Sequence, residues 1–132
     1  MSLLNELKSS IQKANRNIRI VFAEGWNEDI QKAIKEVIKI SDGKIIPILI
    51  FKNEKEANVD LPKTVEKIII GSTDLNKYAN IIYEARKLKG VTQSQAVEMS
   101  CQPFILASAV VASGDADGEI CGIEYTTQDT IR

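Results

Sequence analysis

Three stretches of this chain gather small, polar and charged residues beside short apolar runs, where ligands of open parallel sheets usually bind. The first, Ala23-Glu24-Gly25-Trp26-Asn27-Glu28, reads as a strand-to-helix turn in which Asn27 caps the following helix. The second, Tyr83-Glu84-Ala85-Arg86-Lys87-Leu88-Lys89-Gly90, is a basic helix end whose cations complement the dipole of a helix C-terminus. The third, Ser113-Gly114-Asp115-Ala116-Asp117-Gly118-Glu119, invites a calcium reading, because Asp115, Asp117, Gly118 and Glu124 fall where an EF-hand loop has ligands or its turn. That reading fails at its first ligand, where Ser113 replaces an acid, and at Gly122, which interrupts the helix that should follow. No second loop pairs with it. A helix-to-strand turn, with glycines supplying positive φ and aspartates accepting from local amides, accounts for the same residues.

Composition narrows the chemistry further. The chain has 132 residues, enough for one domain, and its 17 Lys+Arg against 18 Asp+Glu leave no global basic field for nucleic acid. It contains no histidine, which removes the usual neutral-pH base, the Ser-His-Asp and Cys-His arrangements and every His-containing zinc site. No metal is expected. At 44% hydrophobic and 27% charged the composition is that of an ordinary globular domain, without a run apolar enough to cross a membrane. Met1-Ser2-Leu3-Leu4-Asn5-Glu6 lacks the basic and apolar regions of a signal peptide, so a cytoplasmic address is expected. Cys101 and Cys121 lie in apolar surroundings without a CxxC pair and are expected to be buried thiols.

The elements that must position these stretches follow from periodicity. Leu4, Leu7, Ile11 and Ala14 recur at helical spacing behind a Ser2 cap, predicting a first helix to about Asn15. Ile18 to Ala23 is a buried strand. Asn27 caps a helix with acidic Glu28 and Asp29 in its first turn and a core stripe of Ile30, Ala33, Ile34, Val37 and Ile38, stopped at Asp42-Gly43. Ile45 to Phe51 is a nearly continuous apolar strand in which Pro47 points to an edge or a strand start. Lys67 to Gly71 is a third strand, and Ser72 or Thr73 is expected to cap a long helix through Lys89, closed by Gly90. Thr92 opens a shorter helix. Phe104 to Val111 is a helix apolar almost all round, hence buried, and Gly114 stops it. Glu119 to Ile123 is another strand, and Thr126 to Arg132 is the capped beginning of a helix that has no C-cap, which reads as a cut chain. Strands alternating with helices predict an α/β fold with a mostly parallel sheet.

In content, order and spacing these stretches resemble the N-terminal part of the phosphate acetyltransferase (phosphotransacetylase) family, over essentially the whole chain. The carrying residues are Tyr83-Glu84-Ala85-Arg86-Lys87-Leu88-Lys89-Gly90-Val91-Thr92, Gly114-Asp115-Ala116-Asp117-Gly118 followed by Cys121-Gly122, and Thr126-Thr127-Gln128-Asp129-Thr130-Ile131-Arg132. Ala23-Glu24-Gly25 is similar to the family's Pro-Glu-Gly turn. The resemblance implies a three-layer αβα fold, isocitrate/isopropylmalate dehydrogenase-like, with residues 1–132 as the N-terminal part of the first domain and the second domain absent. It implies metal-free transfer of an acetyl group between coenzyme A, a substrate and not a resident cofactor, and phosphate, giving acetyl phosphate. The parent would be a homodimer.

Of the four arginines in the chain, Arg86 and Arg132 match the family's phosphate- or coenzyme-A-binding positions. The guanidinium fork suits phosphate oxygens. Thr126 and Thr127 supply hydroxyl and amide donors near Arg132. The family's catalytic Ser and Asp belong to a C-terminal part not present here, so this piece alone is expected to be inactive. Departures are Ala23 for Pro, Asp29 for Arg, and Glu124-Tyr125 for small residues. An unpaired Glu124 would repel an anion. Phosphate butyryltransferase and a noncatalytic acetyl-CoA-sensing module are the alternatives that the same resemblance leaves open.

Overall fold

The structure, a computed structural model, describes residues 17–121. The expected helix before Asn15 and everything from Gly122 onward lie outside the described residues. The elements run β1 (Ile18–Phe22), α1 (Glu28–Ile40), β2 (Ile45–Phe51), a single-turn α2 (Glu54–Ala57), β3 (Glu66–Ile69), α3 (Asn76–Arg86), α4 (Gln93–Ser100), α5 (Pro103–Ala112) and β4 (Gly118–Ile120). A 3₁₀ turn over Lys87–Lys89 extends α3.

The strands form one sheet in the order β3-β2-β1-β4, and every pairing is parallel. Parallel strands need both faces covered, and the strand sequences supply this. Ile20, Phe22, Leu49 and Phe51 face Ile30 and Ile34 of α1. Val21, Ile48 and Ile50 alternate with them and face Leu106, Ala107 and Val110 of α5. Three layers result. On the α5 side, α3 and α4 pack outside α5, joining Ile82 and Ala96 to Ala109. That double contact is why Pro103–Ala112 is apolar almost all round: one flank meets the sheet, the other meets α3 and α4.

Local chemistry sets the boundaries. Asn27 Oδ1 accepts from the amides of Asp29 at 2.8 Å and Ile30 at 3.2 Å, fixing the start of α1. Thr92 and Gln95 form the reciprocal capping box of α4, with bonds of 2.9 and 3.1 Å. Gly90, at φ 91°, turns the chain between α3 and α4 in a conformation that a side chain resists.

Several expectations are corrected. Thr73 does not cap α3, because its Oγ1 accepts from the Ile69 amide and ties the turn back to β3; the helix starts at Asn76, whose amide donates to Asp74. Ala33 is exposed, since the buried stripe of α1 narrows to Ile30 and Ile34. β2 is an interior strand, yet Pro47 lies before the first residue that pairs with β3, Ile48, so at that position only β1 is alongside. Both cysteines are exposed, not buried: Cys101 occupies the α4–α5 turn and Cys121 follows the edge strand β4.

The N-terminal edge of the sheet carries a network of charges. Arg19 pairs with Glu66 and donates from Nε to the Asp115 carbonyl at 2.7 Å. Lys77 and Tyr78 of α3 both bond the Asp115 carboxylate, at 2.9 and 2.7 Å. The Lys77 bond, then the Tyr78 bond, holds Asp115 below the ordinary carboxylate range. Burial, reinforced by the bond to Asp115, pushes the Tyr78 phenol up to about 12.

The two shifts act at opposite ends of the pH scale. Asp115 binds its proton more weakly when folded, so its contribution is present above the ordinary carboxylate range and is lost as pH falls through its depressed value. Tyr78 binds its proton more tightly when folded, so its contribution is full below 10 and is lost as pH rises toward about 12. Urea titrations across pH are expected to show both limbs, with Asp115→Asn flattening the acid limb; an unchanged acid limb in that variant would contradict the assignment.

Candidate functional site

All four strands deliver their C-terminal ends to one edge, and the strand order reverses between β1 and β4. From β1 the chain steps to β2 and then β3 on one side, while β4 joins on the other. Such a switch point opens a crevice where two loops diverge. Among the described residues that edge is formed by Ala23–Trp26 after β1 and by Cys121 after β4.

The β1 loop is built tightly. The Ala23 amide donates to the Ile120 carbonyl at 3.0 Å, joining the ends of β1 and β4, and the Gly25 amide donates to the Ile50 carbonyl at 2.9 Å. A Cβ on Gly25 would lie 2.5 Å from the Ile50 carbonyl oxygen and 2.9 Å from Leu49 Cβ, so only glycine lets the loop lie against β2. Gln31 of α1 donates to the Gly25 carbonyl at 2.9 Å. The Lys52 ammonium lies 4.2 Å from the centre of the Trp26 ring, a cation–π contact bridging the β1 and β2 loops.

Glu24 is 1% exposed, the one buried acidic residue among the described residues. Burial pushes the neighbouring Cys121 thiol up, and the charges of Glu119 and Glu24 act in the same direction. Glu24 on the β1 side and Cys121 where β4 ends are thus neighbours at this edge. The sequence places Glu24 in one of the three candidate stretches but does not show that it is buried. Its signal was available: an acid set directly between a buried strand and a close-approach glycine.

Arg86 is the last residue of α3 and lines a cleft of about 140 Å³ between α3 and α5, with Ile81, Ile82, Ala85, Ile105 and Ser108. Among the described residues it makes no ion pair, whereas Lys87 is paired with Glu84 at 2.6 Å. Leu88 beside them is 96% exposed. Ser108, on the same cleft, donates to Glu119 at 3.1 Å and so connects it to β4. Thr126, Thr127 and Arg132 lie outside the described residues, and the chain enters their segment from the C-terminal end of β4.

The acidic turn holds protein groups, with Asp115 on Lys77 and Tyr78 and Asp117 on the Arg19 amide. Among the described residues no three of His, Cys, Asp or Glu converge as a metal site.

A four-stranded, all-parallel sheet with helices on both faces defines an α/β protein of the open-sheet class. The chain belongs to the phosphate acetyl/butyryl transferase family: the family profile described as "Phosphate acetyl/butaryl transferase" matches residues 2–132. It is 36% identical over 133 residues to the phosphate acetyltransferase of Mycoplasma genitalium, covering 100% of this chain and 41% of that protein. The phosphate acetyltransferase of Mycoplasma pneumoniae is 35% identical over 132 residues, with the same coverage of 100% and 41%. Among solved structures, a phosphotransacetylase from Streptococcus pyogenes superposes with a TM-score of 0.75 at 25% identity, covering 100% of this chain and 41% of that one. EutD phosphotransacetylase from Staphylococcus aureus shares the fold, with a TM-score of 0.76 at 23% identity over 100% of this chain and 42% of that one. The chain spans about two fifths of the length of the curated relatives it matches.

Because the Gly25 contact is with backbone, Gly25→Ala is expected to destabilise the fold by about 3 kcal/mol, as overpacking against an immovable neighbour does. Denaturant unfolding checks this. A loss below about 1 kcal/mol would show that the loop after β1 can back away from β2.

Proposed function

We propose that these residues are the N-terminal, ligand-binding part of a two-domain, homodimeric enzyme that moves an acetyl group between coenzyme A and phosphate. The observation that carries the reading is the family match across residues 2–132. The parallel sheet supports it, because its switch point lies where the chain passes into the segment holding Thr126, Thr127 and Arg132.

In this reading Arg86 and Arg132 neutralise phosphate groups of coenzyme A or of the acyl phosphate, and the threonines donate hydroxyl and amide hydrogen bonds. The coenzyme A thiolate attacks the acetyl carbonyl carbon of acetyl phosphate. A carbon–sulfur bond forms, the carbon–oxygen bond to phosphate breaks, and inorganic phosphate leaves with the electron pair. The positive charges stabilise both the tetrahedral oxyanion and the departing phosphate. The thiol's proton is taken by groups supplied beyond this chain, the Ser and Asp that the family resemblance implies.

The family description also includes butyryl transfer. An acyl-phosphate panel of increasing chain length on the full-length enzyme separates acetyl from butyryl preference.

The chain is accordingly expected to bind coenzyme A without turning it over. Isothermal titration should show binding that Arg86→Ala weakens about tenfold, the effect of removing one charge-assisted contact. Acetyl-CoA formation from acetyl phosphate and coenzyme A by this chain alone would contradict the division between binding and catalysis. Absence of coenzyme A binding would contradict the reading itself.

A further inference from the structure

The cleft between α3 and α5 has a shape and a polarity that a phosphate contact at Arg86 alone does not use. Its floor is made by Ile82 and Ala109, both buried, and its walls by the half-buried Ile81 and Ile105. The exposed rim carries two polar side chains, Arg86 on α3 and Ser108 on α5. Tyr78 near the start of α3 meets Asp115 just past the end of α5, while Ile82 packs with Ala109, so the two helices run antiparallel. Eight residues of helix, about 12 Å, therefore carry Arg86 away from the Asp115 network towards the start of α5, the side of the strand C-termini.

Three properties decide what such a cleft takes. Its volume is about 140 Å³, and an aliphatic cavity of roughly 150 Å³ holds a single aromatic ring. On the α3 side the rim offers donors and a positive charge: Arg86 is the one charged residue lining the cleft, and it makes no ion pair among the described residues. On the α5 side the rim offers acceptors, because Ser108 directs its proton to Glu119 Oε1 at 3.1 Å and leaves its own lone pairs and the rest of the carboxylate open to a donor. The matching ligand has a flat ring, an N–H donor on one side of it and an anionic group on the other. Inorganic phosphate and acetyl phosphate have no ring, and neither has the pantetheine arm of coenzyme A. A nucleobase with an exocyclic amine, joined to a phosphate, has all three features.

We propose that the cleft between α3 and α5 seats the adenine nucleotide end of coenzyme A, with one ring of the purine between Ile81 and Ile105, its amine towards Ser108 and Glu119, and a phosphate on Arg86. The naming of coenzyme A rests on the reading of the chain as coenzyme-A-binding; the fit to an aminated base and a phosphate rests on the cleft itself. Arg86 then serves the nucleotide and not the acyl phosphate.

The test is calorimetric titration of the whole chain with coenzyme A, with adenosine bisphosphate, its nucleotide end, and with phosphopantetheine, its other end. Adenosine bisphosphate is expected to bind, and Ala85→Leu, which narrows the cleft from its exposed rim, to weaken both it and coenzyme A about tenfold, the effect of losing part of one ring's buried area. Phosphopantetheine affinity in Ala85→Leu should stay within about twofold of the wild type, and so should every affinity in Ala33→Leu, which alters an exposed alanine of α1. Inosine bisphosphate, with a carbonyl oxygen in place of the amine, is expected to bind about fivefold more weakly than adenosine bisphosphate, consistent with the loss of a hydrogen bond of ordinary strength. That comparison needs no variant; should Ala85→Leu not fold, Ala112→Leu narrows the same cleft from α5. Unchanged coenzyme A affinity in the cleft variant would overturn the proposal, and so would inosine bisphosphate binding as tightly as adenosine bisphosphate. Unchanged nucleotide affinity together with reduced self-association in Ala85→Leu would give the cleft to a second copy of the chain and overturn it as well. If the chain binds coenzyme A and phosphopantetheine but not adenosine bisphosphate, this proposal falls and the proposed function stands. If it binds adenosine bisphosphate with the expected loss in Ala85→Leu but does not bind coenzyme A, the coenzyme reading falls and the nucleotide site stands.

Discussion

β1 is paired on both sides, with β2 along one edge and β4 along the other, and its side chains alternate between α1 and α5. Those pairings bring the two loops of the candidate site together. The turn after β1 can lie against β2 only because Gly25 has no side chain, and Ile120 at the end of β4 meets Ala23 only because β4 follows β1 in parallel. Both faces of β1 are buried. A parallel strand with one uncovered face would leave its apolar alternate residues in water, so α1 and α5 are as necessary to the crevice as the loops that line it.

The polar groups divide between the two edges of the sheet. At the N-terminal edge Arg19, Glu66, Asp115, Lys77 and Tyr78 satisfy one another at partly exposed positions, where ion pairs contribute modestly and chiefly fix geometry. At the C-terminal edge the Glu24 side chain is buried in the turn after β1. Arg86, by contrast, has no ion-pair partner among the described residues.

Much of the scaffold was legible because its causes are local. The Asn27 cap, the Thr92–Gln95 capping box and Gly90 each act within a few residues, and the alternating apolar strands announce two covered faces. The all-apolar Phe104–Val111 run correctly indicated a helix enclosed on several sides. What escaped depends on distant partners. Arg19 and Asp117 are 98 positions apart and Tyr78 and Asp115 are 37 apart, so no window of sequence shows that the acidic turn serves the sheet edge. Thr73 was assigned to the wrong neighbour because a threonine before a helix can bond forward to the helix or backward to the strand, and here β3 takes it. The exposure of Cys101 follows from its place in a helix–helix turn, which composition does not register. For the site, the motif at Arg86 was visible as a basic helix end, whereas the burial of Glu24 and the close approach of Gly25 to β2 emerged only from the fold.

If the β1 and β4 loops form one ligand-binding edge, an amide chemical-shift map of the chain titrated with coenzyme A should show it directly. The predicted result is saturable shifts concentrated at Ala23–Trp26, at Arg86 and from Cys121 through Arg132, with the N-terminal edge around Asp115 little changed. Shifts confined to other surfaces, or none at saturating coenzyme A, would contradict the assignment of this edge as the site.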